Sequence, residues 1–303
     1  MSTLKVTNIE SPSGGGVNAK ITDINGGQLS NRNLVINGAM QVAQRGTSFT
    51  HTTTEQYTLD RFEAANGSSF NWNSAVISQN SDSPDGFFNS LKIDVASTST
   101  PTGGHNALIK HKIEAQNLEQ LGFGSSGAKT TTLSFYVKSN KTGTYSVQVR
   151  HVDASKYLLQ EYTISSSNTW ERKTITLVGN TADVINDDNG NGLELRFNLA
   201  TGPDDKTSVK TTWTDDSGGT LYGTTDQVNL FDSATNEWYL TGVQLEVGEV
   251  ATAFEHRSFG DELARCQRYF QLGDHAVGRT TSASNFELLY AFPVDMRTGP
   301  TAA

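Results

Sequence analysis

The chain has 303 residues, a formal net charge of −9, 35% apolar residues and only 18% charged ones. That length holds one large β domain or two smaller ones, and the acidic balance argues against nucleic acid or membrane insertion as the main partnership. No apolar run reaches 18 residues, the opening MSTLKVTNIESPSGGG does not read as a secretory signal, and the lone Cys266 leaves no intramolecular disulfide.

Residues 1–32 read as an extended polar arm. Leu4, Val6 and Ile9 form its first apolar cluster, ahead of Pro12 and the run Gly14-Gly15-Gly16. Such a segment buries no core of its own, so it is expected to dock on a partner through those three residues. From Asn33 the pattern changes to period-2 alternation, and residues 33–257 read as a sandwich of antiparallel strands. Leu34, Val35 and Ile36 open a strand that ends at the turn pair Asn37-Gly38. Further strands follow at Leu91-Ile93-Val95, Leu133-Phe135-Val137, Tyr145-Val147-Val149, Leu193-Leu195-Phe197-Leu199 and Val243-Leu245-Val247. Lys141-Thr142-Gly143 makes 133–152 a hairpin. Ala115 to Leu121 has room for a helical turn or two. Residues 258–273 read as one short amphipathic helix, capped by Ser258 and stopped by Gly273. Phe286 to Val294 reads as strand again, and 274–303 as the start of a C-terminal β segment. One or two strands are too little for a domain, so either the tail pairs with sister subunits or the chain continues past Ala303. The fold class is all-β: a jelly-roll β-sandwich with an N-terminal arm, one short C-terminal helix and a few strands after it.

Three stretches resemble a module found in tailed-phage fibre and appendage proteins. The first is Asn33-Leu34-Val35-Ile36-Asn37-Gly38-Ala39-Met40-Gln41-Val42-Ala43-Gln44-Arg45-Gly46, followed by Leu59-Asp60-Arg61-Phe62. The second is Trp238-Tyr239-Leu240-Thr241-Gly242-Val243-Gln244-Leu245-Glu246-Val247-Gly248, then Ala251-Thr252-Ala253-Phe254-Glu255-His256-Arg257. The third is the helix Glu262-Leu263-Ala264-Arg265-Cys266-Gln267-Arg268-Tyr269-Phe270, with Phe292-Pro293-Val294-Asp295-Met296-Arg297 beyond it. The resemblance implies a jelly roll like that of carbohydrate-binding modules and a role in virion structure or adhesion. It brings no catalytic residues. From the residues themselves, Val243, Leu245 and Val247 face the core. Arg61 makes an ion pair with Asp60 or a backbone contact that locks the first strands.

The chemistry-bearing motifs are sparse. Asp187, Asn189 and Asn191, with Gly192 behind them, have the spacing of the front half of a calcium loop. Asn198 stands where the twelfth-position glutamate belongs, which favours an Asn/Asp/Gly turn over a calcium site. Trp72, Trp213 and Tyr222 sit among small polar residues and are the candidate glycan-stacking rings, while Trp170 and Trp238 read as core. The histidines are scattered, and Cys266 lies on the buried stripe of the helix. No acid/base pair of carboxylates is singled out, so the chain is not expected to be an enzyme. No cofactor is implied beyond a structural calcium. A helix of this length is marginal alone, so Phe259, Leu263 and Phe270 are expected at a homotrimer interface. The expectation is therefore a structural subunit of a tailed-phage virion. It is assembled in the host cytoplasm, anchored to other virion proteins by its arm, and able to contact a host-surface glycan. The alternatives are a glycan-binding adhesin module, a capsid decoration protein and a polysaccharide depolymerase.

Overall fold

The computed structural model describes residues 30–51, 55–67, 70–72, 75–216, 221–272, 277–282, 285–289 and 292–299. Leu4, Val6 and Ile9 of the arm, with Gly273, lie outside the described residues.

Alternation of apolar and polar residues translates into strands β1 (Ser48–Thr50), β2 (Glu55–Tyr57), β3 (Phe62–Gly67), β4 (Val76–Asn80), β5 (Ser90–Asp94) and β6 (Asn106–Glu114). After a 3-10 turn at Ala115–Leu121 come β7 (Thr131–Ser139), β8 (Gly143–His151), β9 (Lys156–Ile164), β10 (Glu171–Leu177) and β11 (Asn191–Thr201). Two short strands, β12 (Lys206–Thr207) and β14 (Gly223–Thr224), pair in parallel around β13 (Lys210–Asp215). The long β15 (Glu237–Val247) precedes helix α1 (Phe259–Gln267) and an antiparallel pair, β16 (Val277–Ser282) with β17 (Asn285–Leu289).

Two antiparallel sheets form the body. Sheet I runs β1-β4-β5-β15-β7-β10 and sheet II runs β13-β9-β8-β11-β6-β3-β2. The chain crosses from one sheet to the other between β1 and β2, β3 and β4, β5 and β6, β6 and β7, β7 and β8, β9 and β10, and β10 and β11. It ends by inserting β15 between β5 and β7. This is a jelly-roll sandwich. Between the sheets lie Phe135 and Val137 of β7, Tyr145 and Val147 of β8, Phe197 of β11, and Trp238 and Leu240 of β15, all fully buried.

The expected hairpin at 133–152 does not form. β7 belongs to sheet I and β8 to sheet II, so the connection at 140–142 arches across the core and the two apolar faces meet each other. The hairpin in this region is β8 with β9, closed at residues 152–155. Both arrangements bury the same alternating residues, so alternation alone could not distinguish them. Leu34 to Ile36 is likewise irregular rather than a strand. Its backbone bonds only sporadically to β15, through Leu34 N to Leu245 O at 2.9 Å and Val243 N to Gly38 O at 3.0 Å. The strand expected from Phe286 to Val294 ends at Leu289.

β15 needs a change of phase. Trp238 and Leu240 face inward, and so do Val243, Leu245 and Val247, which is possible only if one residue drops out of the alternation. The ladder with β7 shifts between Thr241 and Gln244, and Gly242 sits there at φ +61°, a conformation glycine adopts without strain.

Two glycines give opposite expectations. A Cβ on Gly38 would collide with the Val243 carbonyl, which is fixed by the sheet, whereas one on Gly260, inside α1, meets nothing within 4 Å. Gly38→Ala should destabilise the fold by about 1–3 kcal/mol in urea unfolding. Gly260→Ala should stabilise it by about 0.5–1 kcal/mol.

Candidate functional site

The segments that carry the family resemblance converge at one end of the sandwich. Asn33 substitutes for a strand: its Oδ1 accepts from Val35 N at 2.9 Å and Leu245 N at 3.1 Å, and its Nδ2 donates to Val243 O at 3.0 Å. Asn37, at φ +61°, folds the chain back on itself, with Nδ2 donating to Val42 O and Asp60 O and Oδ1 accepting from Val42 N, each at 2.9 Å. Asp60 takes both the backbone and the side-chain N–H of Gln44 at 2.6 Å.

α1 docks on this segment. Ser258 caps it by accepting from Asp261 N, and Cys266 packs with Ile36 and Val42. Arg257 donates to the Val35 and Asn33 carbonyls and faces Glu262 at 3.3 Å, with side-chain exposures of only 7% and 10%. Glu262 also accepts from Asn37 N. Beyond the helix, Arg268 and Tyr269 both bind Glu114 of β6. Burial would raise the Glu114 carboxyl, but the hydrogen bonds from Arg268 and Tyr269 outweigh it and hold the carboxyl below the usual carboxylate range. Arg61, at φ +70°, stacks 3.4 Å over the Tyr269 ring and donates to the Lys112 carbonyl, while Arg45 lies 3.6 Å over Phe270. Arg61 thus makes the backbone contact expected of it, not a bond to Asp60; the cation nearest Asp60 is Arg45, at 3.9 Å.

This arrangement places the three helix residues expected at a subunit contact. Leu263 packs against Ile36, Val42 and Cys266 of its own chain, and Phe270 lies under Arg45. Of the three residues, Phe259 alone is exposed, at 57%. Leu263 and Phe270 remain half-buried in the single chain. Burial pushes the Cys266 thiol up, away from reactivity.

The other expected site residues do not assemble. Trp72 is 1% exposed, stacked 4.4 Å from His51 and edge-on to Phe231, so no sugar reaches it. Trp213 is half-buried at the edge of sheet II, its Nε1 bonded to Val178 O at 2.9 Å and its ring against Phe123 and His151. Tyr222 lies in the loop over sheet II with the Arg196 guanidinium 5.3 Å from its ring centre. The Asp187 loop is a turn. Asp188 accepts from Gly190 N, Asn189 bonds Arg297 of the tail at 2.7 Å, and Asn191 donates to Glu194 at 2.6 Å. The two asparagines thus use their Nδ2 groups on different protein partners. Among the described residues no group of three His, Cys, Asp or Glu is placed to hold a metal.

The two outer faces differ in kind. On sheet II the charges pair with one another: Glu63 lies between Lys110 at 3.1 Å and Lys112 at 3.0 Å, and Arg196 binds Glu194 and Gln148. On sheet I the register lines up Lys92, Tyr239 and Lys138 across β5, β15 and β7, with Trp170 at the start of β10. Trp170 Nε1 donates to Asp82 at 3.0 Å, and Lys138 binds the same carboxylate while lying 4.2 Å from the Tyr239 ring centre and 5.4 Å from that of Trp170. The Lys138 bond holds the Asp82 carboxyl below its usual range. Farther along the face Phe87 contacts Tyr136, Phe254 and His256 at 5.1–5.4 Å. Trp170 therefore lies at the surface and not in the core. Its neighbour Tyr239 was recoverable from the sequence: it sits between Trp238 and Leu240, both inward, so it must point outward. Tyr136, between Phe135 and Val137, follows the same rule.

Two outcomes test the end clamp. Arg257→Ala strands the Glu262 carboxylate and should cost about 3–5 kcal/mol in urea unfolding, with the double change Arg257→Ala/Glu262→Ala recovering part of it. The second concerns acid. His111 accepts from Ile36 N at 3.4 Å, and burial, then the Arg61 charge, lower its pKa well below 6.5; burial lowers that of His51 to about 4. Both histidines are neutral when folded but take up a proton near pH 6.5 when unfolded. Their contribution is complete above that pH and should fall by about 1.4 kcal/mol per histidine for each pH step below it, until the folded pKa is reached. Melting temperature against pH, with His51→Gln as the variant that flattens the curve, reads this.

No protein-family model matches the chain, and no curated protein does. Among solved structures, the chain is similar to the enzymatically active domain of tailspike protein 4 of bacteriophage CBA120, at 14% identity and a TM-score of 0.36. That match covers 71% of this chain and 21% of the tailspike chain, so this chain spans about a fifth of it. It is also similar to a CBM4 module, at 16% identity and a TM-score of 0.36 over 70% of this chain and 99% of that one. A third is TmCBM61 in complex with β-1,4-galactotriose, at 7% identity and a TM-score of 0.34, covering 72% and 99%. Two of these neighbours are thus named as carbohydrate-binding modules and one as an enzymatically active phage tailspike domain.

Proposed function

We propose that the chain is a non-catalytic structural subunit of a tailed-phage fibre or other virion appendage, anchored by its N-terminal arm, whose sandwich contacts host-surface glycan. The observation that carries this reading is where the signature residues go. Asn33, Asn37, Asp60, Arg257, Glu262 and Tyr269 all serve to fasten the opening segment and α1 to the sandwich. A motif devoted to closure belongs to a building block. The carboxylates of Glu114, Glu194 and Glu237 are held low by cationic or hydroxyl partners, which suits architecture and not proton donation. A homotrimeric assembly, with Phe259 at a subunit contact, is part of the proposal.

A depolymerase reading has one foothold. Burial raises the Asp205 carboxyl despite its bond from Asn106 at 3.0 Å. Purified protein incubated with host envelope polysaccharide should release no reducing ends. Release that Asp205→Asn abolishes would overturn the non-catalytic assignment. Deleting residues 1–29 should leave the melting transition intact while the subunit disappears from particles; normal occupancy of the truncated protein would show that the arm is not the anchor.

A further inference from the structure

An outer β-sheet face is ordinarily polar, and sheet II conforms, with its charges closed into pairs. Sheet I also closes its charges into pairs, Lys138 with Asp82 and Lys92 with Asp94 and Glu237, but adds a row of aromatic rings. Trp170, Tyr239, Tyr136, Phe87, Phe254 and His256 lie on its outer side; Tyr239 is buried, His256 is exposed and the other four are half-buried. The loop at 81–89 links them. Its Asp82 fixes Trp170 and Lys138, its Phe87 is seated among Tyr136, Phe254 and His256, and Phe88 beside it is 83% exposed. The loop is internally braced: Ser83 Oγ donates to Phe87 O at 2.7 Å, Phe87 N to Pro84 O at 3.1 Å, and Ser90 Oγ to Asp82 O at 2.6 Å. An exposed phenylalanine on a braced loop gains nothing from folding, and an exposed apolar patch rimmed by polar groups marks a contact surface.

We propose that the outer face of sheet I, with Trp170 at one end and Phe87 and Phe88 at the other, is the subunit's glycan contact, its stacking rings for neutral pyranoses being Trp170 and Phe88, while the buried Tyr239 beneath Lys138 fixes the floor between them. This rests on the glycan-contact reading above and assigns it to residues. A pyranose has apolar C–H groups on its faces and hydroxyls at its rim, so it needs aromatic rings beside polar atoms held in fixed directions. This face supplies both. Trp170 is oriented by Asp82. The Lys92 ammonium is held by Asp94 at 3.0 Å and by Glu237 at 2.7 Å, and Glu237 also accepts from the Tyr239 hydroxyl at 2.7 Å. The charge balance selects the ligand. Lys138 is matched by Asp82 and Lys92 by Asp94 and Glu237, so an acidic sugar would have to break an existing pair, whereas neutral hydroxyls can add to these groups without displacing them.

The test is an oligosaccharide array of neutral gluco-, galacto- and mannopyranose chains with polygalacturonate fragments, probed with the full chain and followed by titration of the strongest hit. Trp170→Ala and Phe88→Ser should each weaken that hit at least tenfold, with Tyr222→Ala on sheet II unchanged. Phe88→Ser alters an exposed side chain, so an unchanged melting temperature separates lost binding from lost folding. Binding to neutral chains that survives both substitutions would overturn this assignment and leave the glycan-contact reading standing. Binding confined to polygalacturonate would overturn the ligand class. No binding to any glycan would overturn both; concentration-dependent self-association abolished by Phe88→Ser would make the face a subunit contact and overturn this assignment alone.

Discussion

The guanidinium of Arg257 is the point on which the two ends of the sandwich depend. It is nearly inaccessible to water, and it bonds two carbonyls of the opening segment together with a carboxylate of the helix. A buried cation of this kind is tolerable only when each neighbour is in place. Glu262 completes the set by also accepting from the backbone of Asn37, so one carboxylate ties the helix, Arg257 and the opening segment together. The irregular stretch from residue 33 to 45 needs this. It lacks a strand's ladder, and its backbone groups are satisfied by the amides of Asn33 and Asn37 and by the carboxylate of Asp60.

The same logic explains why a nine-residue helix persists at the edge of an otherwise β protein. Its termini are chemically finished, with Ser258 at the start and Arg268 and Tyr269 bound to Glu114 at the end. Its apolar stripe covers Ile36 and Val42. Arg45 and Arg61 lie flat on Phe270 and Tyr269, so the cationic side chains of the sandwich complete the seat.

Much of the fold follows from alternation. The inward sets of β7, β8, β11 and β15 can be read directly, because a strand with one buried face repeats every two residues. Which sheet each strand joins cannot be read that way. β7 and β8 look like a hairpin from their short connection, yet they face each other across the core. The surface rings were harder. Trp72, surrounded by small polar residues, looks exposed but fills the space beside Phe231, because burial depends on what loops pack over a segment and not on its immediate neighbours. Trp170 shows the reverse: it stands at the mouth of a strand and is drawn outward by Asp82. The bonds that the asparagine Nδ2 groups of the Asp187 loop make to Glu194 and to the tail are set by tertiary geometry and could not be read from the loop's composition.

The Arg257 clamp also sets an order of events. Asn33 and Arg257 are 224 residues apart in sequence, and β15, which lies between β5 and β7 in sheet I, is the last strand of the sandwich to be made. On the ribosome, sheet I therefore stays open at its centre, and the opening segment stays unfastened, until nearly the whole sandwich has been synthesised. A nascent chain of this kind carries two unpaired central strand edges for most of its synthesis. The clamp closes only when residues 257–262 have emerged, so the arrival of α1 is the event that fastens the opening segment.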